Sequence, residues 1–106
     1  MNINEILAEL DKMLENCEIE RAGAYLAEQT DKALSSSENS AAITLLNEQI
    51  GYFRDCGKFK ESLAACEKVL ALIRKCGLES TPEHATTLLN GATAYRFAGQ
   101  SAKALD

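Results

Sequence analysis

The chain has 106 residues, 46% of them apolar, and a formal net charge of −5, which suits one small domain with its own hydrophobic core and no need of metal or crosslinks. The charge is uneven, with nine acids against three bases in residues 1–40 and seven against eight in 41–106. No cluster of Lys and Arg exists to displace counterions from phosphates, which argues against a nucleic-acid partner.

One Pro, six Gly and an abundance of Ala, Leu, Glu and Lys predict an all-α fold without strands. The opening MNINEILAELDKMLENC carries Glu5, Glu9, Asp11 and Glu15 among its apolar residues, so it reads as neither a signal peptide nor a membrane span. A cytoplasmic chain is expected, with Cys17, Cys56, Cys66 and Cys76 as reduced thiols.

The first predicted helix carries Ile3, Ile6, Leu7, Leu10, Met13, Leu14 and Cys17 at three-and-four spacing, with Asn2 or Asn4 as its cap. A second, over about 19–34, has Ala22, Tyr25, Leu26, Ala33 and Leu34 as its stripe. SSSENS at 35–40 favours a turn, with Ser40 as the N-cap of the third helix.

The third helix, about 41–55, places Leu46, Ile50 and Phe53 on one face and stops at Gly57, a residue that tolerates the left-handed conformation. The fourth runs over about 58–75 with Phe59, Leu63, Cys66, Val69, Leu70 and Ile73 in register, then Arg74, Lys75 and Gly77, the residues a helix C-terminus prefers. Thr81 as cap and Pro82 at the first helical position start a fifth, about 82–97, whose stripe is Leu88, Ala92 and Tyr95. After Gly99 a sixth is expected to begin with Ala102, Ala104 and Leu105.

Gly57 and Gly99 stand 42 residues apart, and so do Leu46, Ile50, Phe53 and Leu88, Ala92, Tyr95. Helix, short turn, helix and loop thus recur at a near-constant period, the mark of units that each bury an apolar face on the next. Through Leu46, Phe53, Gly57 and Phe59 in residues 43–76, and Leu88, Ala92, Tyr95, Gly99 and Ala104 in 85–105, the sequence resembles the tetratricopeptide repeat family. Ile50, Ser62, Cys66 and Val69 depart from the family's residue types, and Ser101 replaces the usual aromatic. The long period is similar to that of kinesin light chain repeats. Residues 3–34 lack the turn glycine and read as a degenerate or capping repeat.

The resemblance implies a right-handed superhelical array of antiparallel hairpins, about two and a half repeats over about 3–34, 41–76 and 82–106, expected to be the N-terminal segment of a longer solenoid. It also implies a concave face, formed by the first helices of successive hairpins, that binds a protein or peptide. By alignment of the turn glycines, Thr44, Asn47, Gly51 and Arg54 fall on that face with Thr86, Leu89, Thr93 and Arg96, and Asn90 lies beside them. Arg54 and Arg96 recur at one phase and could hold a carboxylate. Two solvated arginines near helix ends would read the same way.

Enzyme chemistry has little to stand on. Cys76 and His84 are the only Cys and His close in sequence and lack an orienting third group, the glycines form no phosphate loop, and one histidine without a Cys-x-x-Cys pair argues against a metal site. Cys17 and Cys66 read as small core residues. The expectation is a non-enzymatic, cofactor-free binding scaffold. Self-assembly through the open side of the fifth helix, or a sensor segment of a larger protein, are the alternatives.

Overall fold

A computed structural model describes the backbone of residues 1–105 and the side chains of residues 1–99. The chain forms α1 (Ile3–Glu15), α2 (Ile19–Ser35), α3 (Asn39–Asp55), α4 (Phe59–Lys75) and α5 (Pro82–Leu105), with no strand among the described residues. Each helix packs on the next in the chain, and α5 reaches back to α3. The extents of 44 × 35 × 20 Å give a slab two helices thick.

Four left-handed residues set this architecture. Cys17, Ser37, Gly57 and Gly77, with φ of 60°, 55°, 74° and 67°, follow one another every 20 residues. At each, the left-handed N–H donates three residues back and the next N–H five back, as in Gly57 to the Arg54 carbonyl at 3.0 Å and Lys58 to that of Phe53 at 2.8 Å. This Schellman pairing satisfies carbonyls that a helix end leaves bare. The first turn therefore has the same form as the third, with Cys17 where Gly57 stands. Cys17 is exposed in that turn and is not the core residue its spacing suggested. α3 likewise begins after the turn at Ser37, with Glu38 rather than Ser40 at the N-cap position and no side-chain cap.

Asn2 caps α1 by accepting the Glu5 N–H at 3.2 Å. Thr81 Oγ1 accepts the His84 N–H at 3.3 Å, and His84 Nδ1 accepts the Ser80 N–H at 3.1 Å. The reciprocal pair fixes the start of α5 just ahead of Pro82.

Two apolar cores result. Ile6, Leu10 and Met13 of α1 meet Ala22 and Leu26 of α2 and Leu45 of α3, while Leu46 and Ile50 of α3 meet Cys66, Val69 and Ile73 of α4 and Ala94 of α5. Each fully buried Leu, Ile or Val contributes about 1.5–3 kcal/mol, so truncating Ile50, which is 0% exposed, costs about 2–5 kcal/mol. Buried hydroxyls are paired: Ser62 Oγ donates to the Ile50 carbonyl at 2.7 Å, tying α4 to α3.

One stripe repeats through the odd helices. Ile6, Leu10 and Met13 of α1 are buried, as are Leu46 and Ile50 of α3 with Phe53 half-buried beside them, whereas Leu88, Ala92 and Tyr95 of α5 face solvent. The buried side of α5 is instead Thr87, Gly91 and Ala94, because α5 turns that side to α4 and α3 and no described helix covers the other. Leu14 and Leu34, in the last turns of α1 and α2, are also exposed, at 36% and 41%.

α5 is continuous through Gly99, which lacks a positive φ, so neither the turn expected at Gly99 nor the sixth helix forms. Glycine inside a helix costs only about 1 kcal/mol against alanine, and the flanking Ala98, Gln100, Ala102, Lys103 and Ala104 are helix formers. The expected stripe of Ala102, Ala104 and Leu105 lies outside the described side chains.

Candidate binding cleft

α1, α3 and α5 enclose an open cleft of about 670 Å³. α1 supplies Leu10 and Leu14, Ile19 at the start of α2 extends that apolar wall, and the stripe Asn47, Glu48, Gly51, Arg54 and Asp55 of α3 faces them. Asn90 closes the α5 side. A second groove of about 320 Å³ shares Asn47, Glu48 and Asn90 and continues past Thr44, Glu83 and Thr86.

Polar groups in this region bond to one another before any ligand arrives. Asn47 Nδ2 donates to Thr87 Oγ1 at 2.9 Å and to the Ile43 carbonyl at 3.0 Å, and its Oδ1 accepts from Asn90 Nδ2 at 2.9 Å. Both amides are thereby oriented, each with capacity left over. Arg54 Nε donates to Asp55 Oδ1 at 3.3 Å, and its guanidinium lies 5.8 Å from the centroid of the Phe97 ring, to which Arg96 also comes within 5.6 Å. Such contacts contribute about 0.5–1 kcal/mol at exposed sites. A carboxylate ligand would have to draw Arg54 from Asp55.

Close approach of helices shapes the rest. Tyr52 reaches over α2, donating from Oη to the Ile19 carbonyl at 2.8 Å, and a Cβ at Gly23 would strike its hydroxyl and lie 2.7 Å from its Cζ. A Cβ at Gly91 would stand 2.6 Å from Cys66 Sγ, so the glycine lets α5 approach α4 closely at that crossing. Gly51, by contrast, has only Arg54 Nη2 at 3.7 Å and leaves the cleft open.

Burial, then the nearby Asp11 carboxylate, push the Glu48 carboxyl above its ordinary range. The Tyr52 hydroxyl is raised by burial first and by Cys56 after it. Burial pushes the Cys66 thiol up, with Glu67 adding to it, which holds it in its unreactive protonated form. Among the described residues no three His, Cys, Asp or Glu cluster as a metal site would require, and no helix is long and apolar enough to cross a membrane.

Of the residues the sequence singles out, Asn47, Gly51, Arg54 and Asn90 meet in the cleft, with Thr44 and Thr86 in the adjoining groove. Thr93 donates to the Leu89 carbonyl at 3.0 Å, Leu89 is 69% exposed, and Arg96 lies beyond the lining on Phe97. The α1 contribution escaped sequence reasoning. Counting 40 residues back from Gly51 and Arg54, the spacing of the turns at Cys17 and Gly57, would have picked out Asp11 and Leu14. Comparison with family models, curated proteins and solved structures finds no match.

Proposed function

We propose that the chain is a non-enzymatic, tetratricopeptide-repeat-like scaffold that binds a segment of a partner protein in the cleft between its odd helices. The observation that carries this is the cleft itself: α1 and α3, the first helices of two successive hairpins, and α5 after them present oriented amides beside an apolar wall. The repeated stripe Ile6/Leu10/Met13 and Leu46/Ile50/Phe53 supports the hairpin array. An open groove exposes much of any small ligand to water and suits an extended or helical segment better. Asn47, Asn90 and Arg54 offer hydrogen bonds, while Thr44 and Thr86 extend the path. Because the amides are already positioned, the scaffold loses little entropy on binding.

The exposed Leu88 and Tyr95, at 51% and 54%, favour a second reading, assembly through the uncovered side of α5. Affinity capture from lysate separates the two, using the native chain, a cleft-filling Gly51→Phe variant and a Leu88→Glu, Tyr95→Glu variant. Loss of the captured protein with Gly51→Phe alone supports the cleft. Retention by Gly51→Phe and loss with the α5 variant supports assembly.

A further inference from the structure

The two ends of the slab differ in kind. At one, α1 and α2 expose Glu5, Asp11, Glu15, Glu20, Glu28 and Asp31. At the other, the uncovered side of α5 carries Ala85, Leu88, Ala92 and Tyr95, and residues 84–99 hold no acid and one arginine, Arg96. Two copies of a chain with net charge −5 repel over most of their surfaces and least at this one. Head-to-tail stacking would press the apolar stripe onto the carboxylates of α1 and α2, so the contact between copies that desolvates no acid is α5 against α5.

The stripe is also complementary to itself. Its residues recur at three and four, small at 85 and 92 and large at 88 and 95, the spacing at which two helices interlock. Laid antiparallel about a twofold axis level with Asn90, each large residue meets a small one. A parallel pair would instead set Tyr95 on Tyr95 and Arg96 beside Arg96. In the antiparallel pair Arg96 lies about 9 Å from the axis, so the two guanidinium groups stand about 18 Å apart, beyond a screening length of about 8 Å. One helix pair over residues 82–99 covers on the order of 500 Å² of each copy, about 1,000 Å² in all, the lower limit of a specific interface. A weak dimer follows, with a dissociation constant of about 0.1–1 mM.

We propose that two copies of the chain pair through the open side of α5, antiparallel about a twofold axis, with Leu88 and Tyr95 of each seated on the partner's Ala92 and Ala85. This rests on the reading of that face as an assembly surface and names its occupant. Asn90, the α5 residue of the cleft, lies about 160° around the helix from Leu88, so the pairing leaves both clefts open.

Sedimentation equilibrium of the chain from about 10 μM to about 2 mM should show a monomer passing to a dimer and nothing larger. Leu88→Glu and Tyr95→Glu should each weaken the dimer about tenfold or more, whereas Gly51→Phe in the cleft should leave it unchanged. In a mixture of isotope-labelled and unlabelled chains, intermolecular NOEs should connect the Tyr95 ring to the Ala85 methyl and the Leu88 methyls to that of Ala92. A dimer weakened by both α5 variants but showing Tyr95-to-Tyr95 contacts overturns the antiparallel register and leaves assembly through α5 standing. Growth beyond a dimer with rising concentration overturns the closed pair. A monomer at every concentration, or a dimer indifferent to both α5 variants, overturns the pairing and the assembly reading together.

Discussion

Asn90 donates from Nδ2 to Oδ1 of Asn47 at 2.9 Å, so the two amides that line the cleft also fasten α5 to α3. Asn47 passes the link on by donating to Thr87 Oγ1 at 2.9 Å. Removing Asn47 leaves two groups short of a partner. Asn47→Ala should cost about 1–2 kcal/mol and Asn90→Ala about 1 kcal/mol in urea unfolding. The double variant should cost less than the sum, by about 0.5–1.5 kcal/mol. Strict additivity would show that the amides act separately.

The turns predict substitutions of opposite sign at equivalent places. Cys17 and Ser37 hold φ of 60° and 55° with a Cβ attached, at the position where the next two turns carry Gly57 and Gly77. Cys17→Gly and Ser37→Gly should each stabilise by about 0.5–1 kcal/mol, and Gly57→Ala and Gly77→Ala should each destabilise by about 1 kcal/mol. Thermal unfolding of the four variants tests this. Destabilisation by both glycine substitutions would mean that the side chains of Cys17 and Ser37 matter more than their backbone strain.

The same turns show what was legible in the sequence. Gly57 and Gly77 announce themselves by residue type, and the helices they bound came out within a residue or two of their observed ends. Cys17 and Ser37 adopt the identical conformation without a glycine to signal it, because a Schellman turn is enforced as much by the helix folding back as by its own preference. Without Cys17 in phase, α1 could not be aligned with α3, and Asp11 and Leu14 stayed hidden. Gly99 erred the other way, since the residue type was right and the reversal did not follow. Gly23 and Gly91 carry no signal in the sequence beyond their residue type, yet each marks a close crossing that the packed partners, Tyr52 and Cys66, reveal.

Those crossings give a third prediction. Alanine is the better helix former by about 1 kcal/mol, so an exposed glycine in α2 would gain from replacement. Gly23→Ala should instead lose about 1–2 kcal/mol, because the new Cβ expels Tyr52 and breaks its bond to the Ile19 carbonyl. In a Tyr52→Ala background the same change should become stabilising. Gly91→Ala should behave likewise, its cost relieved by Cys66→Ala. Failure of the sign to reverse in either background would remove the close approach as the reason for the glycine.

Glu48 supplies a prediction in pH. Its folded carboxyl is raised by burial and by Asp11 above the ordinary value, whereas in the unfolded chain it titrates near about 4.3. Between those two values the folded state holds more proton than the unfolded one, so through this group stability falls as pH rises across the window and stays lower above it. Glu48→Gln removes the titration and the repulsion together. The variant should be more stable than the native chain at neutral pH, by under about 1 kcal/mol since the group is in part solvated. The difference should shrink to nothing as pH falls below the unfolded value. Asp55 and Arg54 on α3 and Glu83 on α5 also line this part of the groove, so Asp11→Asn is the matching control, and it should recover only the smaller, repulsive share. A native chain that outlasts Glu48→Gln in urea at neutral pH would show that the carboxylate already has a favourable partner.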